Sequence, residues 1–293
     1  MRQWVEARVA FALVLDGSRC KHMRMVFDPE AVRAFERSRW QQAAQAYETS
    51  FATATMPFID ALLDAAGVAA GTRMLDIACG PGVVAAQAVA RGAVARGLDF
   101  SPAMLAIATE RGIAADEGDA EVLPYQDASF DAVVSNFGVH HVPRPALALS
   151  EAHRVLSAGG QVAFSFWAEH VENVAWKLVF DAVARRGDPA ASDAPPPGGG
   201  FRGAAQCADA LRAAGFVECT TQLVHATWRH ADAAGLLDAL QTGTARMAAM
   251  IDAQPRAAIP AIIADIEDNA ARYRTSDGIA VPIAAVIAAG RKS

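Results

Sequence analysis

The sequence has little positive charge and lacks long apolar runs. Lys and Arg number 26 against 32 Asp and Glu among 293 residues, and the formal net charge is −6 at pH 7. A nucleic-acid groove needs a basic face to neutralise phosphates, so this balance argues against a nucleic-acid partner. No segment reads as long and apolar enough to span a bilayer, and no membrane partner is expected.

Cysteine is also scarce. The sequence has four, without Cys-x-x-Cys spacing, at Cys20, Cys79, Cys207 and Cys219. This pattern favours a reduced, cytoplasmic protein over a disulfide framework or a zinc site, and no metal is expected. Residues 1–27 are predicted to be a poorly organised extension, and residues 28–293 a single domain.

The first half of the chain alternates between two kinds of apolar pattern. Residues 28–66 have helical periodicity that begins at Asp28-Pro29. From Thr72 onward, short apolar segments predict strands at 73–78, 94–100, 131–137 and 161–167, with a weaker candidate at 112–118. Helices are predicted between them, at 82–91, 102–111 and 144–157. Such alternation predicts an α/β fold with a doubly wound, parallel sheet.

The second half continues the alternation less regularly. A Pro/Gly-rich loop at 187–200 follows a predicted helix at 172–186. The remaining predicted elements are a helix at 204–214, a strand after Gly215, a helical pair at 231–252 and 256–273, and a last strand at 279–290. Pro282 argues that this last strand is not central along its whole length.

The segment "RMLDIACGPG", residues 73–82, carries the first functional signal. Gly80 and Gly82 leave no Cβ where backbone approaches a ligand, and the following helix offers free N–H groups to an anion. With Ala85 they also satisfy the G-x-G-x-x-A pattern of dinucleotide sites. Two cofactors therefore remain open at this point, a nicotinamide dinucleotide and S-adenosylmethionine.

Acidic residues favour the second cofactor. Asp76 ends the first strand, where a carboxylate would repel a pyrophosphate but attract an ammonium group, which S-adenosylmethionine has. Asp99 ends the next strand and can accept the ribose hydroxyls of either cofactor. Asp119 follows twenty residues later, and dinucleotide motifs do not require this third acid.

Four segments occur in order: "LDIACGPG", "GLDFSPAML", "GDAEVLPYQDASFDAVVSNFGVHHV" and "EAHRVLSAGGQVAFSFW". On these, the sequence resembles the class I S-adenosylmethionine-dependent methyltransferases, in the small-molecule branch similar to the quinone-biosynthesis C-methyltransferases. The resemblance implies a mostly parallel seven-stranded sheet of the Rossmann-like methyltransferase fold. It divides the domain into an N-terminal helical cap (28–70) and a cofactor-binding core (71–170). A substrate cap with a loop and a helical insertion (171–278) and a last strand (279–293) follow.

The resemblance also implies cofactor contacts. Asp76 would reach the methionine ammonium, Asp99 the ribose, and Asp119 the adenine amino group. Ala78 departs from the family, in which glycine is usual at that position. The other implied contacts are close backbone at Ala78, Gly80 and Gly82, the adenine neighbours Phe100, Met104 and Ala120, the methionine-arm neighbours Asn136 and Phe137, and Tyr47 over the methyl donor.

Catalytic residues are less well defined. His140 and His141 are adjacent, and on an extended segment their side chains would point to opposite sides, so they are not expected to share a site or a metal. Either one is a candidate general base, and Tyr47 is a third catalytic candidate. His141 and Trp167 are candidates for the substrate pocket.

The reaction predicted from these features is SN2 transfer of the S-adenosylmethionine methyl group to O, N or C of a small molecule, with S-adenosylhomocysteine as product. The apolar-rich cap predicted outside the core motifs favours a small acceptor. Two alternatives stay open: a nicotinamide-dependent oxidoreductase, and a degenerate, non-catalytic methyltransferase-like binding protein. The sequence does not indicate the oligomeric state.

Overall fold

A computed structural model describes residues 27–169, 171–192, 194–196, 201 and 203–293. The predicted extension lies outside the described residues apart from Phe27, and so does part of the predicted loop at 187–200. No helix among these residues is long and apolar enough to cross a membrane.

One twisted sheet forms the centre of the domain. Its order is β3-β2-β1-β4-β5-β8-β6, and the two-residue β7 pairs with β8. The first five strands of this order are parallel, whereas β8 runs antiparallel to both neighbours. The strands are β1 (Arg73–Ile77), β2 (Val94–Asp99), β3 (Ala115–Glu117), β4 (Phe130–Ser135), β5 (Leu156–Trp167), β6 (Val217–His230), β7 (Arg274–Thr275) and β8 (Gly278–Arg291). The predicted doubly wound, mostly parallel sheet is confirmed.

Helices cover both faces of the sheet. They are α1 (Pro29–Tyr47), α2 (Ala52–Thr55), α3 (Ile59–Ala65), α4 (Val83–Ala90), α5 (Pro102–Glu110), α6 (Pro145–Val155), α7 (Val174–Arg186), α8 (Ala204–Ala213), α9 (Ala233–Gly243), α10 (Arg246–Asp252) and α11 (Ile259–Ala270). Short 3-10 turns occur at Met56–Phe58, Val139–His141 and Ala271–Tyr273. The predicted helix 231–252 is divided into α9 and α10, because Thr244 has an extended backbone.

The central strands β1, β4, β5 and β8 are mostly buried on both faces, which explains their continuous apolar runs. In β5, Ala163 packs into the core that contains α3, α4, α7 and α9. Its neighbours Val162 and Phe164 pack into the opposite core with α6 and α8. The sheet therefore separates two apolar layers, and its carboxyl edge is left for polar groups.

Local sequence explains where α1 and α5 begin. Asp28 Oδ1 accepts hydrogen bonds from the backbone N–H groups of Glu30 and Ala31, at 3.0 and 3.3 Å. Ser101 Oγ accepts from the N–H of Met104 at 3.4 Å. In both helices a proline follows the capping residue, where its missing N–H costs nothing. Because α1 packs against α5 and α9, it lies over the carboxyl edge of the sheet.

The position of Pro282 agrees with the expectation for the last strand. β8 lies between β5 and β6, but β5 pairs only with residues 285–291. Pro282 pairs with Thr227 of β6, in the part of β8 beyond the reach of β5. The strand is thus central in one half and has a free side at its proline, where no N–H is needed.

The buried side chain of Asn173 hydrogen-bonds to the backbone just after β5 and in β8, so its substitution tests how much these bonds stabilise the fold. Its side chain is 1% exposed; Nδ2 donates to the carbonyls of Ala168 and Ala284, each at 2.9 Å, and Oδ1 accepts from the N–H of Ala284 at 3.0 Å. Asn173→Asp replaces two donated hydrogen bonds by carboxylate–carbonyl repulsion. We expect the free energy of unfolding, measured with urea, to fall by at least about 2 kcal/mol. An unchanged urea midpoint would contradict this role.

Candidate active site

The site lies where the strand order reverses between β1 and β4, which opens a crevice at the carboxyl ends of parallel strands. Three adjoining cavities follow this edge. The central cavity has a volume of about 260 Å³, and the two flanking cavities have about 40 Å³ each. Ala78 lines all three cavities, so the turn after β1 is their common wall.

Asp76 lines the first flanking cavity with Tyr47 and Thr55. Its side chain is fully buried, and neither carboxylate oxygen has a hydrogen-bond partner. Burial raises the pKa of Asp76 well above its ordinary value, and the nearby charge of Asp99 adds to this effect. A buried carboxylate without partners is costly, and a ligand cation with N–H donors would offset the cost.

Asp99 borders the central cavity and the second flanking cavity. Its Oδ2 accepts from the N–H of Gly80, and its Oδ1 from the N–H of Ser101, each at 2.9 Å. Burial raises the pKa of Asp99 to about 6, although these donors favour the ionised form. Each carboxylate oxygen can accept a further hydrogen bond, so the residue suits a pair of hydroxyls.

The two glycines of the turn serve different purposes. Gly80, with φ of 54°, borders the central and first flanking cavities. Gly82, with φ of 76°, lines none of the three cavities; a Cβ there would lie 3.1 Å from the Cβ of Ala108 and 3.2 Å from a side-chain carbon of Ile113. Gly82 thus permits the close packing of α4 beside α5, and its predicted backbone approach to a ligand stays a prediction.

Ala78, at which the sequence departs from the family pattern, has a left-handed backbone with φ of 54°. Alanine adopts this conformation at some cost. A Cβ at Gly138 would lie 2.6 Å from the Cβ of Ala78 and 2.6 Å from Oγ of Ser135. The extra methyl group at Ala78 is thus accommodated because residue 138 is glycine.

The second flanking cavity contains the predicted adenine neighbours. Asp119, Ala120 and Phe100 line it together with Arg33 of α1. Asp119 Oδ1 accepts from the N–H of Glu121 at 2.8 Å, and its Oδ2 lies 2.9 Å from Nε of Arg33. The carboxylate predicted to meet an adenine amino group therefore already has two partners. Sequence reasoning did not identify Arg33.

The segment after β4 is held by one hydroxyl. Ser165 Oγ accepts from the N–H of Phe137 at 2.8 Å and donates to Oδ1 of Asn136 at 2.7 Å. These bonds keep Phe137 at a φ of 57°, which is rare for an aromatic residue. Its ring stacks on Trp167, with centroids 3.9 Å apart. Asn136, Phe137 and Trp167 all border the central cavity, as does the predicted Met104.

The expectation that His140 and His141 cannot share a site is wrong. The segment is a 3-10 turn rather than a strand, so both rings border the central cavity with centroids 4.1 Å apart. Nδ1 of His140 is buried without a partner. Burial lowers the pKa of His140 well below its ordinary value, and charge on His141 and Arg246 adds to this, so His140 is neutral near pH 7. Nδ1 of His141 lies 3.0 Å from Oε2 of Glu36.

The remaining lining residues lie in the predicted N-terminal cap and substrate cap, but sequence reasoning did not identify them individually. Trp40 could have been found, because it lies two helical turns before Tyr47 on the same face of α1. The others gave no local signal, since distant segments supply them. They are Phe51, Trp176, Phe180, Thr244, Arg246 and Met247. Within the described part of the chain, no cluster of His, Cys, Asp or Glu could hold a metal ion.

A sheet of this order, whose first two strands end in buried acids at one crevice, is the arrangement of the class I methyltransferase fold. Residues 75–164 match the family model described as a methyltransferase domain. The chain is also similar to demethylmenaquinone methyltransferase of Staphylococcus aureus (strain JH9), with 39% identity over 104 residues. The predicted resemblance to class I methyltransferases, with quinone-biosynthesis relatives, is confirmed.

Solved structures agree on the fold. A possible histamine N-methyltransferase from Thermotoga maritima superposes with a TM-score of 0.54 at 19% identity, covering 88% of this chain and all of that one. A putative methyltransferase from Bacillus halodurans gives 0.52 at 22% identity, covering 80% of this chain and 98% of that one. The Staphylococcus aureus match covers 33% of this chain and 43% of the relative, so less than half of the relative's length is matched.

The unpartnered carboxylate of Asp76 predicts opposite effects on stability and binding. Asp76→Asn removes an ionisable group that the ligand-free protein can bury only by holding a charge or taking up a proton, so we expect the ligand-free protein to gain about 1–3 kcal/mol of stability near pH 7. The same change should weaken S-adenosylhomocysteine binding at least about tenfold, because a charge-assisted hydrogen bond to the ligand ammonium is lost. Thermal melting and titration calorimetry measure the two effects.

Asp238→Asn, on the exposed face of α9, is the matched control and should change neither quantity. A destabilised Asp76→Asn protein that binds S-adenosylhomocysteine as well as the wild type does would show that Asp76 has a structural role only.

Proposed function

We propose that the protein binds S-adenosylmethionine and transfers its methyl group to a small-molecule acceptor. The observation that carries this proposal is the fully buried, unpartnered carboxylate of Asp76 beside the turn at Gly80. A cofactor with an ammonium group satisfies it, whereas a pyrophosphate would face two buried carboxylates, Asp76 and Asp99.

The three cavities suit the three parts of the cofactor. Asp76 and Tyr47 would hold the methionine end, and Asp99 would accept from the ribose hydroxyls. The cavity lined by Asp119 and Ala120 would take the adenine. The sulfonium would then lie toward the central cavity, which is the largest and which the cap helices border.

The cofactor supplies a methyl group that is already electrophilic. The chain has to orient an acceptor in line with it, and orientation alone can lower a barrier by up to about 7–11 kcal/mol. The rings of Tyr47, Phe137 and Trp167 border the central cavity. Ring faces near a sulfonium stabilise its charge by about 0.5–2 kcal/mol and keep water away.

A small acceptor is favoured by the size and cover of the central cavity. Its volume is about 260 Å³, and its lining comes from α1, α7 and α10 as well as from the strand ends. A macromolecule would need an open groove in this region. The demethylmenaquinone methyltransferases are named for a substrate with an aromatic ring system, and the many rings in this lining suit a flat acceptor here too.

The two alternatives predict different binding. A nicotinamide-dependent oxidoreductase should bind NADH, and a degenerate, non-catalytic protein should bind neither cofactor. Titration calorimetry of the full chain with S-adenosylhomocysteine and, separately, with NADH distinguishes all three. We expect binding of S-adenosylhomocysteine alone; binding of NADH alone would replace the proposed function with the first alternative.

The buried carboxylates also predict how stability and ligand affinity depend on pH. Since the pKa of Asp99 rises from 3.8 to about 6 in the folded protein, ionising it costs stability. The contribution of Asp99 to the free energy of unfolding of the ligand-free protein, measured as the difference between the wild type and Asp99→Asn, should therefore fall as the pH rises through this window. S-adenosylhomocysteine needs the ionised form, so its affinity should instead fall as the pH drops through about 6.

Proton release upon binding of S-adenosylhomocysteine tests the same coupling between ligand binding and the ionisation of a buried carboxylate. Because the pKa of Asp76 is also raised in the ligand-free protein, an arriving ammonium group should displace a proton. Calorimetry near pH 6 in buffers of different ionisation enthalpy measures this release. A binding heat that does not depend on the buffer would contradict the assignment of the ammonium to Asp76.

A further inference from the structure

Glu36 is a fully buried glutamate where three distant elements meet. Its Oε1 accepts from Nε of Arg246 in α10 at 2.6 Å. Its Oε2 accepts from Nε1 of Trp40 at 3.1 Å and lies 3.0 Å from Nδ1 of His141, in the turn after β4. Burial alone would raise the pKa of Glu36, but His141 and Arg246 together outweigh burial and lower it. The carboxylate is therefore ionised.

The bond to Glu36 orients His141. A carboxylate at Nδ1 holds the proton on that nitrogen, which leaves the lone pair on Nε2. The ring also packs edge-on against Trp40, with centroids 5.0 Å apart. His141 borders the central cavity and the second flanking cavity, and its side chain is 20% exposed. An imidazole fixed by a carboxylate beside a cavity is the arrangement of a general base.

The charges around this pair indicate the acceptor class. On the cap side, the buried carboxylate of Glu36 is paired with Arg246 and bonded to His141. Arg246 also donates to the carbonyl of Pro195 at 2.9 Å. A cationic acceptor would meet Arg246, and an anionic acceptor would find that guanidinium engaged. An uncharged ring fits the aromatic lining of Trp40, Phe51, Trp167, Trp176 and Phe180.

We propose that Glu36 and His141 form an acid–base dyad for an acceptor that has an aromatic hydroxyl; this inference rests on the proposed function. The hydroxyl proton passes to Nε2 of His141, and the O–H electron pair remains on oxygen. The resulting aryloxide oxygen bonds to the methyl carbon, and the carbon–sulfur bond breaks with its electrons on sulfur. S-adenosylhomocysteine forms, and His141 later returns its proton to solvent. His141 is the catalytic residue, and Glu36 is a positioning residue.

Other titratable and charged groups lie around the Glu36–His141 pair and contribute to the pH dependence of probe binding. His140 is in the same turn and is neutral near pH 7. The others are Arg33 of α1, Asp99 at the end of β2, Asp119 after β3, and Arg246 of α10. Of these groups, Arg33 is paired with Asp119, and Arg246 is paired with Glu36.

The probe is 4-nitrophenol, whose colour reports where its proton is. It is added to the full chain saturated with S-adenosylhomocysteine, and binding is followed by quenching of the cavity tryptophans. Parallel titrations use 4-nitroanisole, which lacks the proton, and 4-nitrobenzylamine, which is cationic. We expect 4-nitrophenol to bind at least about tenfold more tightly than either. We also expect the bound probe to ionise at a lower pH than it does in free solution.

Two variants test the roles within the dyad. In His141→Gln, measured at saturating S-adenosylhomocysteine, the bound probe should stay protonated up to a higher pH than in the wild type. Glu36→Gln should move the ionisation in the same direction, because the imidazolium loses its counter-charge. His153→Gln, whose ring packs on Phe216 and lines none of the three cavities, is the matched control and should leave the spectrum unchanged.

The outcomes separate the two proposals. A wild-type protein that does not bind S-adenosylhomocysteine overturns the proposed function. Normal binding with the same probe ionisation in wild type and His141→Gln overturns only the dyad, as does equal affinity for 4-nitrophenol and 4-nitroanisole. Tighter binding of 4-nitrobenzylamine overturns the acceptor class. Substitution of the buried Glu36 can also impair folding. If Glu36→Gln melts at a lower temperature than the wild type does, His141→Gln alone provides the test of the dyad.

Discussion

The site depends on carboxylates that are buried before any ligand arrives. Asp76 has no hydrogen-bond partner and Asp99 has two backbone donors, and both lie at strand ends in an apolar crevice. Burial of such groups costs stability, and the rest of the fold has to offset that cost. Once the crevice is built, little has to be reorganised when a ligand with an ammonium group and a pair of hydroxyls enters.

Glu36 has a comparable role on the cap side. Its partners come from α1, the turn after β4 and α10, so one buried ionic network closes the central cavity and orients His141. Removing one partner from such a network leaves a charge uncompensated, which makes its geometry strongly defined. The Glu36 network therefore couples the cap to the carboxyl edge of the sheet, although the two are far apart in the chain.

The core of the fold and the grouping of acids at the carboxyl edge of the sheet could be predicted from the sequence. Strand–helix alternation and the acids at strand ends are local patterns, and the edge where parallel strands end brings Asp76 and Asp99 together by geometry alone. The packing role of Gly82 went unpredicted, because the contact of α5 with α4 is not visible locally. The break between α9 and α10 at Thr244 also went unpredicted.

Which residues line the central cavity was determined by the tertiary structure. Adjacent histidines share a cavity because the chain makes a 3-10 turn after β4, held by Ser165 from the next strand. Arg246 reaches Glu36 across 210 positions of sequence. By itself the sequence determined a Rossmann-like sheet with acids at its carboxyl edge, since periodicity and strand ends are encoded locally. Which rings and charges enclose the space beyond that edge follows from long-range packing, which no local pattern encodes.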